Sequence, residues 1–154
     1  MTNIKTIGIA GCGTMGAGIA IVAARAGFRT IVFDERADAL EKARNQTQGF
    51  FAKSIEKGKL TSTRVDAIMD NLICTTKIDD LAQCDLVIEA VFEDLKLKHA
   101  LLGALNKVCP THTVFASNTS TLSITEIAAG SGRDERVVGM HFCLPAQLMK
   151  LVEM

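Results

Sequence analysis

Gly11-Cys12-Gly13-Thr14-Met15-Gly16 fits the pattern G-x-G-x-x-G, and Asp34 follows 23 residues after Gly11. Residues of these types at this spacing can hold a phosphate diester. The first glycine permits a tight bend, the second lets backbone approach a pyrophosphate, and the third lets the next helix pack closely on the preceding strand. A helix opening at Thr14 and Met15 turns free N–H groups and a partial positive charge towards the anion. Asp34 is spaced to accept hydrogen bonds from the adenosine ribose, and its charge repels a 2′-phosphate. That favours NAD over NADP. Arg36 works in the opposite sense, and FAD remains an alternative ligand for the motif taken alone. Glycines that served only a turn would need neither the helix nor the acid.

The elements around the motif supply the context it requires. Thr6 to Ala10 is a short apolar run of the kind buried on both faces of a parallel sheet. Met15 to Ala26 is rich in Ala and Ile and stops at Gly27, which predicts a helix with a glycine beyond its end. Thr30 to Phe33 predicts a second strand closing on Asp34, and a long helix is expected from Asp38 towards Lys57. A polar helix from about Ser62 to Asp70 follows. Further strands are predicted at Leu72 to Cys74, Leu86 to Ile88, Val114 to Ala116 and Val137 to Met140. Between them lie helices from Leu95 to Val108, stopped by Pro110, and from Ile124 to Ala129, stopped by Gly130. Strands separated by helices imply crossover connections, hence an α/β Rossmann-type fold with a doubly wound, mostly parallel sheet.

Composition narrows the function classes. The chain has 154 residues, 48% of them hydrophobic, enough for one core and one domain spanning 1–154. Lys+Arg and Asp+Glu balance at 17 each, so no global field favours nucleic acid or an anionic membrane. The longest apolar stretches, such as Gly18 to Ala24, fall short of the roughly 18 residues of a membrane span. With the first strand predicted from Thr6, no signal or transit peptide is expected. Cys12, Cys74, Cys84, Cys109 and Cys143 show no metal-ligand spacing, and reduced, mostly buried thiols in the cytoplasm are expected. No metal site is expected. His99 and His112, which stand in no motif, are expected to be solvated.

Beyond the glycine turn, several segments carry a more specific signal. Gly11 to Ala20, Asp85-Leu86-Val87-Ile88-Glu89-Ala90-Val91-Phe92-Glu93, Ala116-Ser117-Asn118-Thr119-Ser120, Gly139-Met140-His141-Phe142 and Met149-Lys150-Leu151-Val152-Glu153 resemble, in order and spacing, the 3-hydroxyacyl-CoA dehydrogenase family. The resemblance covers essentially the whole chain and corresponds to that family's NAD-binding domain, with 3-hydroxybutyryl-CoA dehydrogenases as bacterial members. It implies catalytic roles for Ser120, His141 and Glu153. Ser120 would also touch substrate. It further implies that Glu93, Lys98 and Asn118 stand at the nicotinamide half of the cofactor, and that Lys59, in a Lys-Gly-Lys segment, contacts coenzyme A. It implies an acyl-CoA substrate, a role in fatty-acid metabolism, a homodimer for the full-length protein, and a helical substrate and dimerisation domain absent from these residues.

The implied chemistry agrees with the residue types. Oxidising a secondary alcohol needs a base for the hydroxyl proton and an acceptor for the hydride. Imidazole ionises near pH 6.5, which suits a general base around neutrality. If the strand ending at His141 turns around Pro145 and returns through Met149 to Glu153, the carboxylate comes alongside the ring and fixes its tautomer. Ser120 and Asn118 follow a strand, so they fall on the carboxyl edge of the sheet with the glycine turn. The family pattern Phe-Phe-Asn-Pro after the histidine is Phe142-Cys143-Leu144-Pro145 here, which opens the question of acyl preference. A dehydrogenase of a free hydroxy acid or sugar acid, and a non-catalytic NAD(H)-binding module, are the alternative functions.

Overall fold

Strands covered by helices on both faces lose the alternation of polar and apolar residues, and that is what the four inner strands of the sheet display. A computed structural model describes residues 3–154. Six strands, β1 (Thr6–Ala10), β2 (Arg29–Phe33), β3 (Leu72–Thr75), β4 (Leu86–Glu89), β5 (Val114–Ser117) and β6 (Val137–Gly139), form one parallel sheet in the order β3-β2-β1-β4-β5-β6. The chain runs outward from β1 to β3, then crosses back and runs outward again from β4 to β6. This is the predicted doubly wound arrangement, and its switch point lies between β1 and β4, where ligands bind in such sheets.

The helices are α1 (Thr14–Arg25), α2 (Ala37–Glu56), α3 (Ser62–Asp70), α4 (Leu95–Val108) and α5 (Ile124–Ala129). Ile7, Ile9, Val32 and Ile88 pack on one face of the sheet with Ala17, Ala20 and Ala23 of α1 and Leu40 of α2. Ile31, Phe33, Val87 and Phe115 face the other way and meet Leu102 and Leu105 of α4 and Ile127 of α5. The small residues of α1 let that helix lie close to the sheet, while Ile21 and Ala24 on its back meet Phe51 and Ile68 in a separate outer cluster. The buried Arg133 guanidinium donates to the carbonyls of Asn106, Cys109 and Pro110, which closes the C-terminal end of α4 with a positive charge.

Several boundaries differ from the sequence expectation. α2 opens at Ala37 with Arg36 as its cap residue, and Asp38 sits inside the first turn. A 3-10 segment at Ile78–Gln83 had no periodic signal, yet Leu81 within it is fully buried. The last predicted strand stops at Gly139, and His141–Phe142 leaves the sheet as β7, pairing antiparallel with β8 (Val152–Glu153). His99 is not simply solvated, because its Nε2 donates to Glu126 O at 2.7 Å and its ring fills the space beside Gly130. Cys12, Cys84 and Cys109 are buried free thiols, but Cys74, on the edge strand β3, is exposed. No helix among the described residues is long and apolar enough to cross a membrane.

Candidate active site and cofactor cleft

At the end of β1 the chain turns at Gly11, whose φ of +97° lies in the region glycine tolerates and where a Cβ would stand 2.8 Å from Ala90 O. A Cβ on Gly16 would stand 1.8 Å from Gly11 O, so no side chain fits between α1 and the turn. Gly13, by contrast, has nothing within 4 Å of its Cβ position and opens on free space. α1 has no side-chain cap and no acid in its first turn, and Ala17 is the first residue whose N–H reaches back to the turn, at Gly13 O. α3, α4 and α5 are each capped by a side chain, from Thr61, Asp94 and Ser123 respectively. α1 therefore keeps the N–H groups of Thr14, Met15 and Gly16 for an external acceptor, and an approachable glycine beside them fits a dinucleotide pyrophosphate.

Asp34 stands beside this turn. Its Oδ2 accepts the N–H of Cys12 at 3.0 Å and the Cys12 thiol at 3.3 Å, and its Oδ1 accepts Arg36 N at 3.0 Å. Burial, reinforced by the hydrogen bond to Asp34, pushes the Cys12 thiol up to about 12, so it remains a protonated donor. The Arg36 guanidinium is bound by Asp38 at 3.2 and 2.5 Å, both side chains lying in solvent. Its positive charge is thus neutralised locally. A cavity of about 620 Å³ opens near Asp34 between α2 and the end of β3, lined by Leu40, Arg44, Thr76 and Lys77.

The ends of β4 and β5 carry the second part of the site. Glu93 Oε1 accepts the hydroxyl of Thr119 and the N–H groups of Ser120 and Thr121, the last two at 3.0 and 3.2 Å. Burial resists ionisation of Glu93, but the bonds from Thr119, Lys98 and Ser120 outweigh it and hold the carboxyl at about 2. Lys98 lies 3.2 Å from Glu93 Oε2 and donates to Glu89 Oε1 at 2.7 Å. Lys98 is only 1% exposed, so its ammonium is already committed to these two carboxylates. Glu89, absent from the candidates drawn from sequence, is fully buried and also accepts the Ser117 hydroxyl at 2.6 Å. A glutamate closing the apolar run Leu86-Val87-Ile88 was the available signal.

The third part is the β7–β8 hairpin. His141 pairs with Glu153 across the two strands, and His141 Nδ1 donates to Glu153 Oε2 at 2.7 Å. No hydrogen bond among the described residues engages Nε2. Asn118 joins this hairpin to the preceding loop, because its Oδ1 accepts Phe142 N at 2.8 Å. Ser120 lies exposed on the same loop. The turn between the strands seats Ala146 and Gln147 against Gly18 of α1, where a Cβ would approach Gln147 Oε1 to 2.8 Å.

The carboxyl edge thus gathers Gly11, Gly13, Thr14, Met15, Gly16, Asp34, Glu93, Asn118, Ser120 and His141. Lys59 is elsewhere. It lines a cavity of about 710 Å³ between α1, α2 and the hairpin turn, together with Arg25, Lys53, Lys57 and Lys150. Phe50 and Leu60 add an apolar wall. Among the described residues no cluster of His, Cys, Asp and Glu could hold a metal ion.

Comparison with known proteins places these observations. The family model described as "3-hydroxyacyl-CoA dehydrogenase, NAD binding domain" matches residues 6–154. A probable 3-hydroxybutyryl-CoA dehydrogenase of Bacillus subtilis is 42% identical over 151 residues, covering 98% of this chain and 53% of that protein. The 3-hydroxyadipyl-CoA dehydrogenase of Escherichia coli is 45% identical over 153 residues, which are 99% of this chain and 32% of the relative. A crystal structure of 3-hydroxybutyryl-CoA dehydrogenase from Escherichia coli superposes with a TM-score of 0.95 at 44% identity, over 98% of this chain and 32% of that one. The chain therefore spans between a third and about half of the length of these relatives.

Proposed function

Because the chain belongs to the 3-hydroxyacyl-CoA dehydrogenase NAD-binding domain family, we propose that it is the cofactor-binding portion of an enzyme interconverting L-3-hydroxyacyl-CoA and 3-oxoacyl-CoA. The cofactor is NAD. When bound, it takes up or returns the hydride at the substrate carbinol carbon. The observation that carries the reading is the His141–Glu153 pair at 2.7 Å, tied through Asn118 to the loop at the sheet's carboxyl edge.

On this reading the N–H groups of Thr14, Met15 and Gly16 hold the pyrophosphate, and Asp34 accepts the ribose hydroxyls. Glu93 and Asn118 stand at the nicotinamide half, with Lys98 fixing Glu93 from behind. A carboxylate can only accept, so Nδ1 of His141 carries the proton that faces Glu153 and Nε2 keeps its lone pair. Nε2 takes the proton of the 3-hydroxyl during oxidation, and Glu153 stabilises the imidazolium that results. Ser120 donates to the reacting oxygen. The lysines around Lys59 supply positive charge to the phosphates of coenzyme A, and Phe50 and Leu60 give its apolar parts a wall. The longer protein would complete the acyl pocket with a helical domain, form a homodimer, and work in the cytoplasm, where thiols such as Cys74 stay reduced.

Two measurements test this. Calorimetry should detect NADH binding to these residues alone, whereas their reduction of acetoacetyl-CoA should be much slower than that of a longer protein containing the helical domain. With that longer protein, steady-state rates on acetoacetyl-CoA and on free acetoacetate separate the thioester reading from a free-acid dehydrogenase. Equal kcat/KM for the two would overturn the coenzyme A assignment, and absence of turnover on either would leave only a binding module.

A further inference from the structure

Among the described residues, Glu89 is the one fully buried carboxylate at the sheet edge that the motifs leave without a task. Its Oε1 accepts Lys98 Nζ at 2.7 Å and Val91 N at 2.8 Å, and its Oε2 accepts the Ser117 hydroxyl. Lys98 then reaches Glu93, and Glu93 gathers Thr119, Ser120 and Thr121. The backbone carbonyl of Glu89 also accepts Asn118 N at 2.9 Å. One residue thus holds the loop at both ends, through its main chain at Asn118 and through two charged side chains at Ser120.

Burying a carboxylate and an ammonium is a poor way to stabilise a core, since apolar residues of equal volume do as well or better. What the pair adds is direction. A hydrogen-bonded ammonium held by Glu89 has one place to be, and so has the Glu93 carboxylate beyond it. We propose that Glu89 is a positioning residue: it fixes Lys98, and through Lys98 the Glu93 carboxylate, so that Asn118 and Ser120 meet the nicotinamide half of the cofactor in a single arrangement. The proposal rests on the assignment of the 118–120 loop to the cofactor, and the two are tested separately below.

Glu89→Gln keeps the volume and an oxygen for Val91 N but removes the charge that holds Lys98. Without ligand, the amide resonances of Ser120 and Thr121 should move while those of Ile31 and Val32, on the far side of the sheet switch, stay in place. NADH affinity should fall about tenfold, the scale of one charge-assisted hydrogen bond. Lys98→Met should give the same signature, and the double variant should lose no more than Lys98→Met alone, because Glu89 acts through Lys98. A merely structural role lowers the thermal midpoint but leaves the two amides and NADH affinity unchanged, and that result overturns the proposal. Additive losses in the double variant overturn it as well. If either substitution prevents folding, the unsubstituted chain still decides: slow exchange of the Lys98 ammonium protons is required, and a freely exchanging ammonium refutes the link. Failure of NADH to shift Asn118 and Ser120 in the unsubstituted chain would instead refute the loop assignment.

Discussion

The turn between β1 and α1 and the hairpin β7–β8 lie on the same rim of the sheet but are built in opposite ways. The turn is anchored on three sides: Ala10 is in register with Phe33 and with Glu89, Gly11 N donates to Phe33 O, and Gly16 touches the Gly11 carbonyl. The hairpin pairs two residues with two, and the Glu153 side chain is 63% exposed. Its ties to the rest of the domain are the Phe142 side chain buried in the core, the bond from Phe142 N to Asn118 and the seating of Ala146 on Gly18. The glycine turn is therefore fixed by this domain alone, whereas the position of His141, the proposed base, rests on a strand pair only two residues long.

The largest effect should come from the rigid side. Gly16→Ala puts a methyl group 1.8 Å from the Gly11 carbonyl, backbone against backbone, with no flexible side chain to give way. NADH binding should disappear by calorimetry, with a lowered thermal midpoint as α1 is pushed off the turn. Retention of NADH affinity would mean that the turn is softer than its contacts imply. On the hairpin, His141→Gln should spare NADH affinity and reduce turnover of a longer protein by roughly a hundred- to ten-thousand-fold, because an amide cannot take the hydroxyl proton. If NADH affinity fell with it, the two regions would not be separable as described.

A smaller change is expected at Asp34, the proposed ribose acceptor, which also holds the turn through Cys12 N. Asp34→Asn keeps an acceptor for Cys12 but loses the charge. NADH affinity should drop about tenfold, as for the loss of one charged hydrogen bond, and discrimination against NADPH should narrow. Titration with both cofactors measures it, and an unchanged preference removes Asp34 from the selectivity.

This contrast also explains what the sequence could disclose. Gly11, Gly13, Gly16 and Asp34 act through local geometry between consecutive elements, so their spacing is a message in itself, and the apolar runs that became β1, β2, β4 and β5 needed no partner to be recognised. Glu89 showed in the sequence only as a glutamate closing an apolar run, because its partners Lys98 and Ser117 reach it only after α4 has folded back and β5 has paired with β4. β8 is two exposed residues long and has no periodicity to read. The return of the chain to His141 was legible only because Pro145 and Glu153 bracket a turn, and the break at Met140 was not. The long helix was expected to start at Asp38, yet it opens one residue earlier, and the Asp38 carboxylate in its first turn is taken by Arg36.

The smallest expected effect is confined to the Asn118–Thr121 loop and tests whether that loop belongs with the rigid turn or with the hairpin. Glu93 is held at about 2 in the folded chain, against an ordinary value of 4.5. A folded value below the unfolded one means that ionised Glu93 contributes its full stabilisation above about pH 4.5, and that this is lost as pH falls towards 2. The loop should therefore keep its amide protection at Ser120 and Thr121 through pH 5 and lose it progressively below, since both N–H groups end on Glu93. Whole-chain acid unfolding reports this poorly, because Asp85, held low by the N–H groups of Lys5 and Thr6, and Asp38, held low by Arg36, lose stabilisation in the same direction. Residue-resolved hydrogen exchange against pH separates them. Glu93→Gln, which cannot ionise, should flatten the profile at Ser120 and Thr121 and leave the Thr6 amide unchanged. If protection of the loop instead rose and fell with that of the Phe142 amide, which Asn118 holds, its order would derive from the hairpin, and the division between a rigid half and an adjustable half would have to be drawn on the other side of the loop.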